Sequence, residues 1–255
     1  MLNWCSYCQH FLGELPDYGN FRITHGVCAT CEPKALDLTE KDFQLAEILR
    51  DIQHRLYESG RRNDLKAAAR IIEDAAGVNI RAVDILIGIV APMLYQVGED
   101  WKRGVLSVAE EHRFTSYCNE VFKLISAKTR AGMPASATAA TEPEVLLMNA
   151  PGNKHTLAIR TMSLWLWDRG VPARMLDVPP SREELLAHVV RTQPRLVLVS
   201  MALAEQCMDV TCIAEGIAAL PSSIRPRIIV GGFAVKYGLV SAIPGAELMG
   251  DISAL

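Results

Sequence analysis

From Glu144 to the C-terminus, short β-type runs alternate with helical stretches, and few folds accept that pattern. The runs VLLMNA, PARMLDV, RLVLVSM, RIIVGG and AELMG are rich in branched and apolar residues, and each has the length of a strand. The stretches between them, about 155–168, 182–191, 209–220 and 235–242, are expected to be helical. Strands joined by single helices run parallel, because each connection crosses back over one face of the sheet. Both faces are then covered, so a strand can be apolar on both sides. The reading is a Rossmann-like, flavodoxin-like domain over residues 144–255 with five parallel strands. Sheets of this kind bind ligands at the carboxyl ends of their strands. The loop PGNKHT lies there after the first run, and His155 opens the next helix.

Before this domain the periodicity is helical. Residues 38–132 read as a four-helix bundle, with short connections that make neighbours antiparallel. Thr39 is expected to cap the first helix, with Asp42 three residues on, and Gly60 to end it. Asn63 or Asp64 starts the second, which Gly77 closes. The third runs from Ile80 to about Trp101, and Pro92 is expected to kink it. Ser107 is the expected N-cap of the fourth, with Glu110 completing a capping box. Residues 133–143 are small, Ala/Ser/Thr/Pro-rich and nearly uncharged, which reads as a linker.

The first 34 residues have another character. Cys5-x-x-Cys8 and Cys28-x-x-Cys31 are two knuckles about twenty residues apart. Zn²⁺ takes four soft ligands in a tetrahedron, and each pair supplies two from one tight turn. The segment has too little apolar material to fold alone, so metal would supply the folding free energy. A free-thiol or redox pair is the alternative. Trp4, beside the first knuckle, is expected to shield the metal.

Composition narrows the classes. A net charge of −3 provides no basic field for nucleic acid. No apolar run is read as approaching the roughly 20 residues that span a bilayer, and the start lacks a signal-peptide pattern. A cytoplasmic, reducing location follows, in which the seven cysteines are thiols or metal ligands. Cys118, Cys207 and Cys212 read as ordinary thiols, Met201 and Met208 as core filler, and Trp165 and Trp167 as packing residues.

One stretch stands apart: WKRGVLSVAEEH, from Trp101 to His112. The plain reading is a bundle core with Trp101 packed and Glu111 and His112 at the surface. Yet Trp101, nine residues, then Glu111-His112 resembles the signature of the helical bundle in light-sensing, adenosylcobalamin-binding transcriptional regulators. The preceding PMLYQVGEDW is similar to the helix before it in cobalamin-binding cap domains. The part from Glu144 on resembles the cobalamin-binding Rossmann-like domain, whose pattern is Asp-x-His-x-x-Gly, then Ser-x-Leu, then Gly-Gly. This chain has Asn153-Lys154-His155-Thr156-Leu157-Ala158, then Ser200-Met201-Ala202, then Gly231-Gly232. RITHGVCATC also resembles the end of short zinc-binding segments attached to bacterial sensory proteins, which implies a signalling context.

The resemblance implies a cofactor and roles. His155 would be the lower axial ligand of cobalt, replacing the cofactor's own dimethylbenzimidazole, with Thr156 and Leu157 beside it. The displaced nucleotide tail would reach Ser200 and Ala202 and pass close to Gly231 and Gly232. From the residues alone, Ser200 could equally be a strand-end hydroxyl and the glycine pair a plain turn. Asn153 stands where the family has the acid that orients the ligating His, so more labile ligation is expected. Ala158 replaces a Gly and Ala202 a Leu, with some crowding and some lost packing. Trp101 and Glu111 would face the adenosyl group, and after light breaks the cobalt–carbon bond His112 would ligate from above. The function implied is a photoreceptor in transcription regulation, not an enzyme. A corrinoid carrier of a methyltransferase system and a non-photic cobalamin or redox sensor are the alternatives. The zinc module stands where DNA-binding members carry a helix-turn-helix, so a protein partner or homo-oligomer is expected rather than direct DNA binding.

Overall fold

The computed structural model describes residues 1–16, 18–34, 40–131, 144–176, 178–251 and 255. They fall into two compact units, Met1–Met133 and Pro134–Leu255.

The first unit opens with a three-stranded sheet of β1 (Leu2–Cys5), β2 (Phe11–Glu14) and β3 (Ile23–Gly26). β1 is central, antiparallel to β2 and parallel to β3. Four helical segments follow. They are α1 (Glu40–Arg61), α2 (Leu65–Gly77), a continuous helix Ala82–Lys102, and α5 (Val108–Ala131). The continuous helix comprises α3 (Ala82–Ile85), a π turn (Leu86–Val90) and α4 (Ala91–Lys102). Its apolar residues form the core with Leu49, Ile52, Leu56, Ile71, Ile72, Tyr117, Val121 and Ile125, all at most 3% exposed. Contrary to expectation, Ala82–Lys102 is long and apolar enough to cross a membrane by length and composition. Packing accounts for that composition, because every residue from Val83 to Val90 is buried.

Several local signals act as read. Asp64 caps α2, its Oδ1 accepting from the Ala67 amide at 2.9 Å. Ser107 and Glu110 form the capping box of α5: the Ser107 amide donates to Glu110 Oε2 at 2.8 Å, and the Glu110 amide to Ser107 Oγ at 3.3 Å. The Ser107 hydroxyl, which also donates to Oε2 at 2.7 Å, and then the Ser107 amide hold the Glu110 carboxyl below its ordinary value. The Thr39 cap lies outside the described residues. Pro92 has no amide hydrogen for a regular helical bond, and the helix meets this with the π turn just before it, where the Ala91 amide reaches back to Leu86 O. Gly60 does not end α1. It lies inside that helix, and a Cβ there would come within 2.6 Å of the Phe114 ring and 3.0 Å of the Tyr117 ring. The glycine serves the close approach of α1 to α5.

The second unit is a parallel sheet of β4 (Val145–Asn149), β5 (Ala173–Leu176), β6 (Leu196–Ser200), β7 (Arg227–Gly231) and β8 (Glu247–Leu248). The order β5-β4-β6-β7-β8 is that of a flavodoxin-like sheet, and all neighbours are parallel. The helices are α6 (Thr156–Asp168), α7 (Arg182–Thr192), α8 (Cys207–Ala218) and α9 (Phe233–Lys236). The expected helix at 235–242 is a single turn instead. Gly238, at φ +67°, turns the chain in the left-handed conformation, and the Leu239 amide returns to Ala234 O at 2.8 Å. Met201 is core as read, whereas Met208 is 76% exposed. Trp165 is buried as expected, with the Arg169 guanidinium 3.8 Å above its ring.

Candidate functional site

In the first unit, Trp101 lies in the last turn of α4, just before the Gly104 turn. Its indole is 46% exposed, and Val105 and Val108 beyond it are more exposed still. The plain reading of a packed tryptophan therefore fails. Glu111 and His112 follow in the first turns of α5. Glu111 is held at one oxygen, for Oε1 accepts from Thr115 Oγ1 at 2.8 Å, and its Oε2 lies 3.5 Å from His112 Nε2. The His112 ring is exposed. An open indole, a fixed carboxylate and an accessible imidazole share one end of the bundle. Thr115 was missed in the sequence, although it sits four residues after Glu111 on the same helical face.

In the second unit, His155 is the exposed residue from which α6 departs, at the carboxyl end of β4. Its backbone is clasped: its amide donates to Asn153 Oδ1 at 3.0 Å, and its carbonyl accepts from Asn149 Nδ2 at 3.4 Å. Asn153 does not bond the imidazole. The buried amide spends its other end on the Ser200 carbonyl, Nδ2 to O at 2.9 Å. An aspartate in this position would have no hydrogen for that carbonyl, which is a physical reason for asparagine here. Thr156 and Ala158 are exposed and Leu157 half-buried on the first turn of α6.

Ser200 is buried at the end of β6, and its carbonyl also accepts from the Ala150 amide. Ala202 is half-buried, its amide donating to Gln206 Oε1 at 2.9 Å, with the Leu203 amide on the same oxygen. The glycine pair has a reason internal to the sheet. A Cβ at Gly231 would lie 2.9 Å from Met249 O, and one at Gly232, at φ +99°, 2.5 Å from Met201 O. Asn149 and Gln206 went unread. Asn149 was legible as the one polar side chain in VLLMN, whereas only the folded loop reveals Gln206. Asn149 Oδ1 is buried without a partner among the described residues.

The four N-terminal cysteines come together. The Sγ atoms of Cys5, Cys8, Cys28 and Cys31 all lie within 4.8 Å of one another, and those of Cys8 and Cys28 are 3.7 Å apart. Zn–S bonds of about 2.3 Å in a tetrahedron place sulfurs about 3.8 Å apart, so the cluster fits a zinc site. Burial raises the Cys5 thiol, but hydrogen bonds with the backbones of Cys8, Cys28 and Tyr7 outweigh it and bring the thiol to about 7. Burial drives the Cys8 thiol upward.

Residues 52–126 match the family model of the B12 binding domain. The matched segment runs from α1 into α5 and includes Trp101, Glu111 and His112. The match supports cobalamin binding by the chain. No curated protein matches. Among solved structures, the monomethylamine corrinoid protein of Methanosarcina barkeri is similar, with a TM-score of 0.65 and 12% identity over 80% of this chain and 94% of that one. At that identity the likeness is one of fold. A cobalamin-binding protein of Desulfitobacterium hafniense DCB-2 (TM-score 0.42, 13% identity, 79% and 94% covered) is more distant. So is the methanol:cobalamin methyltransferase complex of Methanosarcina barkeri (TM-score 0.37, 14% identity, 88% and 88% covered).

Proposed function

We propose that this chain is a cobalamin-binding sensory protein that responds to light through adenosylcobalamin. The observation that carries the reading is the exposed Trp101, with Glu111 and His112 at the start of the next helix, on the segment matched by the B12 binding domain. The donor set fits the cofactor. His155 has an exposed ring on a clasped backbone, and cobalt accepts imidazole nitrogen. Adenosylcobalamin, when bound, would supply a light-labile cobalt–carbon bond.

The chain's own groups then have distinct tasks. His155 offers the lower nitrogen, and Thr156, Leu157, Ser200, Ala202, Gly231 and Gly232 belong to the same side. Trp101 lends an indole face to the adenosyl group, and Glu111, kept in place by Thr115, accepts hydrogen bonds from ribose hydroxyls. His112, exposed beside Glu111, would offer a second imidazole to the cobalt. Asn153 keeps the His155 loop in shape without anchoring the ring, so His155 ligates without a carboxylate behind it. Cys5, Cys8, Cys28 and Cys31 hold one Zn²⁺.

The test is the visible spectrum of the full chain loaded with adenosylcobalamin, recorded dark and after green light. The expected result is a lit product distinct from that of the free cofactor and altered in His112→Ala. His155→Ala should lose the imidazole-bound signature in the dark. A lit product identical to that of free cofactor and indifferent to His112 overturns the light reading. The second reading, a corrinoid carrier serving a methyltransferase, is favoured by the fold shared with the monomethylamine corrinoid protein. Methyl uptake by the loaded chain from a partner methyltransferase would establish it.

A further inference from the structure

We infer that the Zn²⁺ of the cysteine cluster is a structural brace of the helical bundle, acting through an aromatic wedge seated on the π turn. The inference rests on the zinc reading above and is independent of cobalamin. Trp4 immediately precedes the ligand Cys5 on β1, and Phe11 opens β2 three residues after the ligand Cys8. The two rings meet edge to face, with centroids 5.4 Å apart and planes at 62°. Trp4 is fully buried and Phe11 is 8% exposed.

What buries them is the bundle. The wedge sits on Gly88, in the middle of the π turn Leu86–Val90, and a Cβ there would lie 2.4 Å from Trp4 Cζ2 and 2.6 Å from Phe11 Cδ2. No side chain fits at Gly88, so the two rings of the hairpin lie directly on the helix backbone. A π turn is an irregular stretch of helix that needs outside support. A second tether joins the N-terminal segment to another helix of the bundle, Gln53 Nε2 of α1 donating to Phe21 O at 2.8 Å. The Trp4 indole N–H is buried there with no partner among the described residues, so the ring is held by shape and not by a hydrogen bond.

The metal closes the argument. The buried apolar residues of the first 34 positions are few: Leu2, Trp4, Cys5, Phe11, Ile23 and Cys31. A sheet of three four-residue strands with so small a core does not hold its own shape, and ligation of both knuckles fixes it. Fixing the first knuckle fixes Trp4 and Phe11, and these fix the helix on which Trp101 lies about 20 Å further along. The Trp4 and Phe11 face of the module is therefore occupied within its own unit.

The full chain is purified and its metal content measured. Zinc is then stripped with a strong chelator, and amide hydrogen exchange is followed by mass spectrometry. The expected result is one zinc per chain and, on stripping, exchange at least tenfold faster across Ala82–Lys102 with the amides of β4, β6 and β7 unchanged. Gly88→Ala should keep one zinc per chain yet speed exchange over the same helix, which separates the wedge from the metal. A chain purified without zinc would overturn the zinc reading and the brace together. Zinc removal that leaves exchange across Ala82–Lys102 unaltered overturns the brace alone.

Discussion

Glycine in a helix interior is ordinarily a weakness, and its replacement by alanine raises stability by about 0.5–1 kcal/mol. Gly88 and Gly98 lie in the same continuous helix and should respond with opposite signs. Around Gly98 nothing lies within 4 Å of an added Cβ, so Gly98→Ala should stabilise the first unit by about 0.5–1 kcal/mol. At Gly88 the same methyl would stand 2.4 Å from the Trp4 ring, about 1 Å inside ordinary contact, with Phe11 close behind. Both rings are already buried and edge to face, so neither can swing aside without opening the core. Overpacking of this kind costs about 1–3 kcal/mol. Set against the gain in helix propensity, Gly88→Ala should lower stability by about 1–2 kcal/mol. For a unit of this size that is a fall of roughly 4–8 °C in Tm. Thermal unfolding followed by far-ultraviolet circular dichroism, with the two variants run side by side at equal zinc content, gives the answer. A Gly88→Ala protein that melts at or above the wild type would refute the close approach and the brace that depends on it.

Other outcomes follow from single contacts. Asn153→Asp removes the donor to the buried Ser200 carbonyl, and denaturant unfolding of the second unit should show a loss of about 1–3 kcal/mol. Equal stability would mean that the amide does not clasp the loop. Glu110, held below 4.5 by Ser107, contributes stability that is present above its unfolded value and disappears as pH falls through the depressed folded value. The stability gap between wild type and Glu110→Gln should therefore narrow as pH drops below about 4.5, and a gap that widens in acid contradicts the capping assignment. Ser181 and Glu184 cap α7 in the same way, so Ser181→Ala should cost about 1 kcal/mol in the second unit.

Much of this molecule is written in local pattern. The strand–helix alternation after Glu144 specifies a parallel sheet, because no other layer arrangement buries such apolar strands between single helices. The two Cys-x-x-Cys pairs announce their own meeting, since their spacing suits tetrahedral ligation and their sulfurs come within 4.8 Å of one another. Asp64, Ser107 and Ser181 cap helices because a cap involves only the next three residues. The tertiary structure alone decides where distant backbones come close. Gly60 looked like a helix stop and is a seat for Phe114, and Gly88, which no local signal singles out, seats the Trp4 and Phe11 rings. Asn153 looked like a weakened acid and is a bridge to Ser200, 47 residues away. Spacing along a chain encodes neighbours within a few turns. The void a glycine leaves, or the carbonyl an amide must meet, is set by elements that only folding brings together.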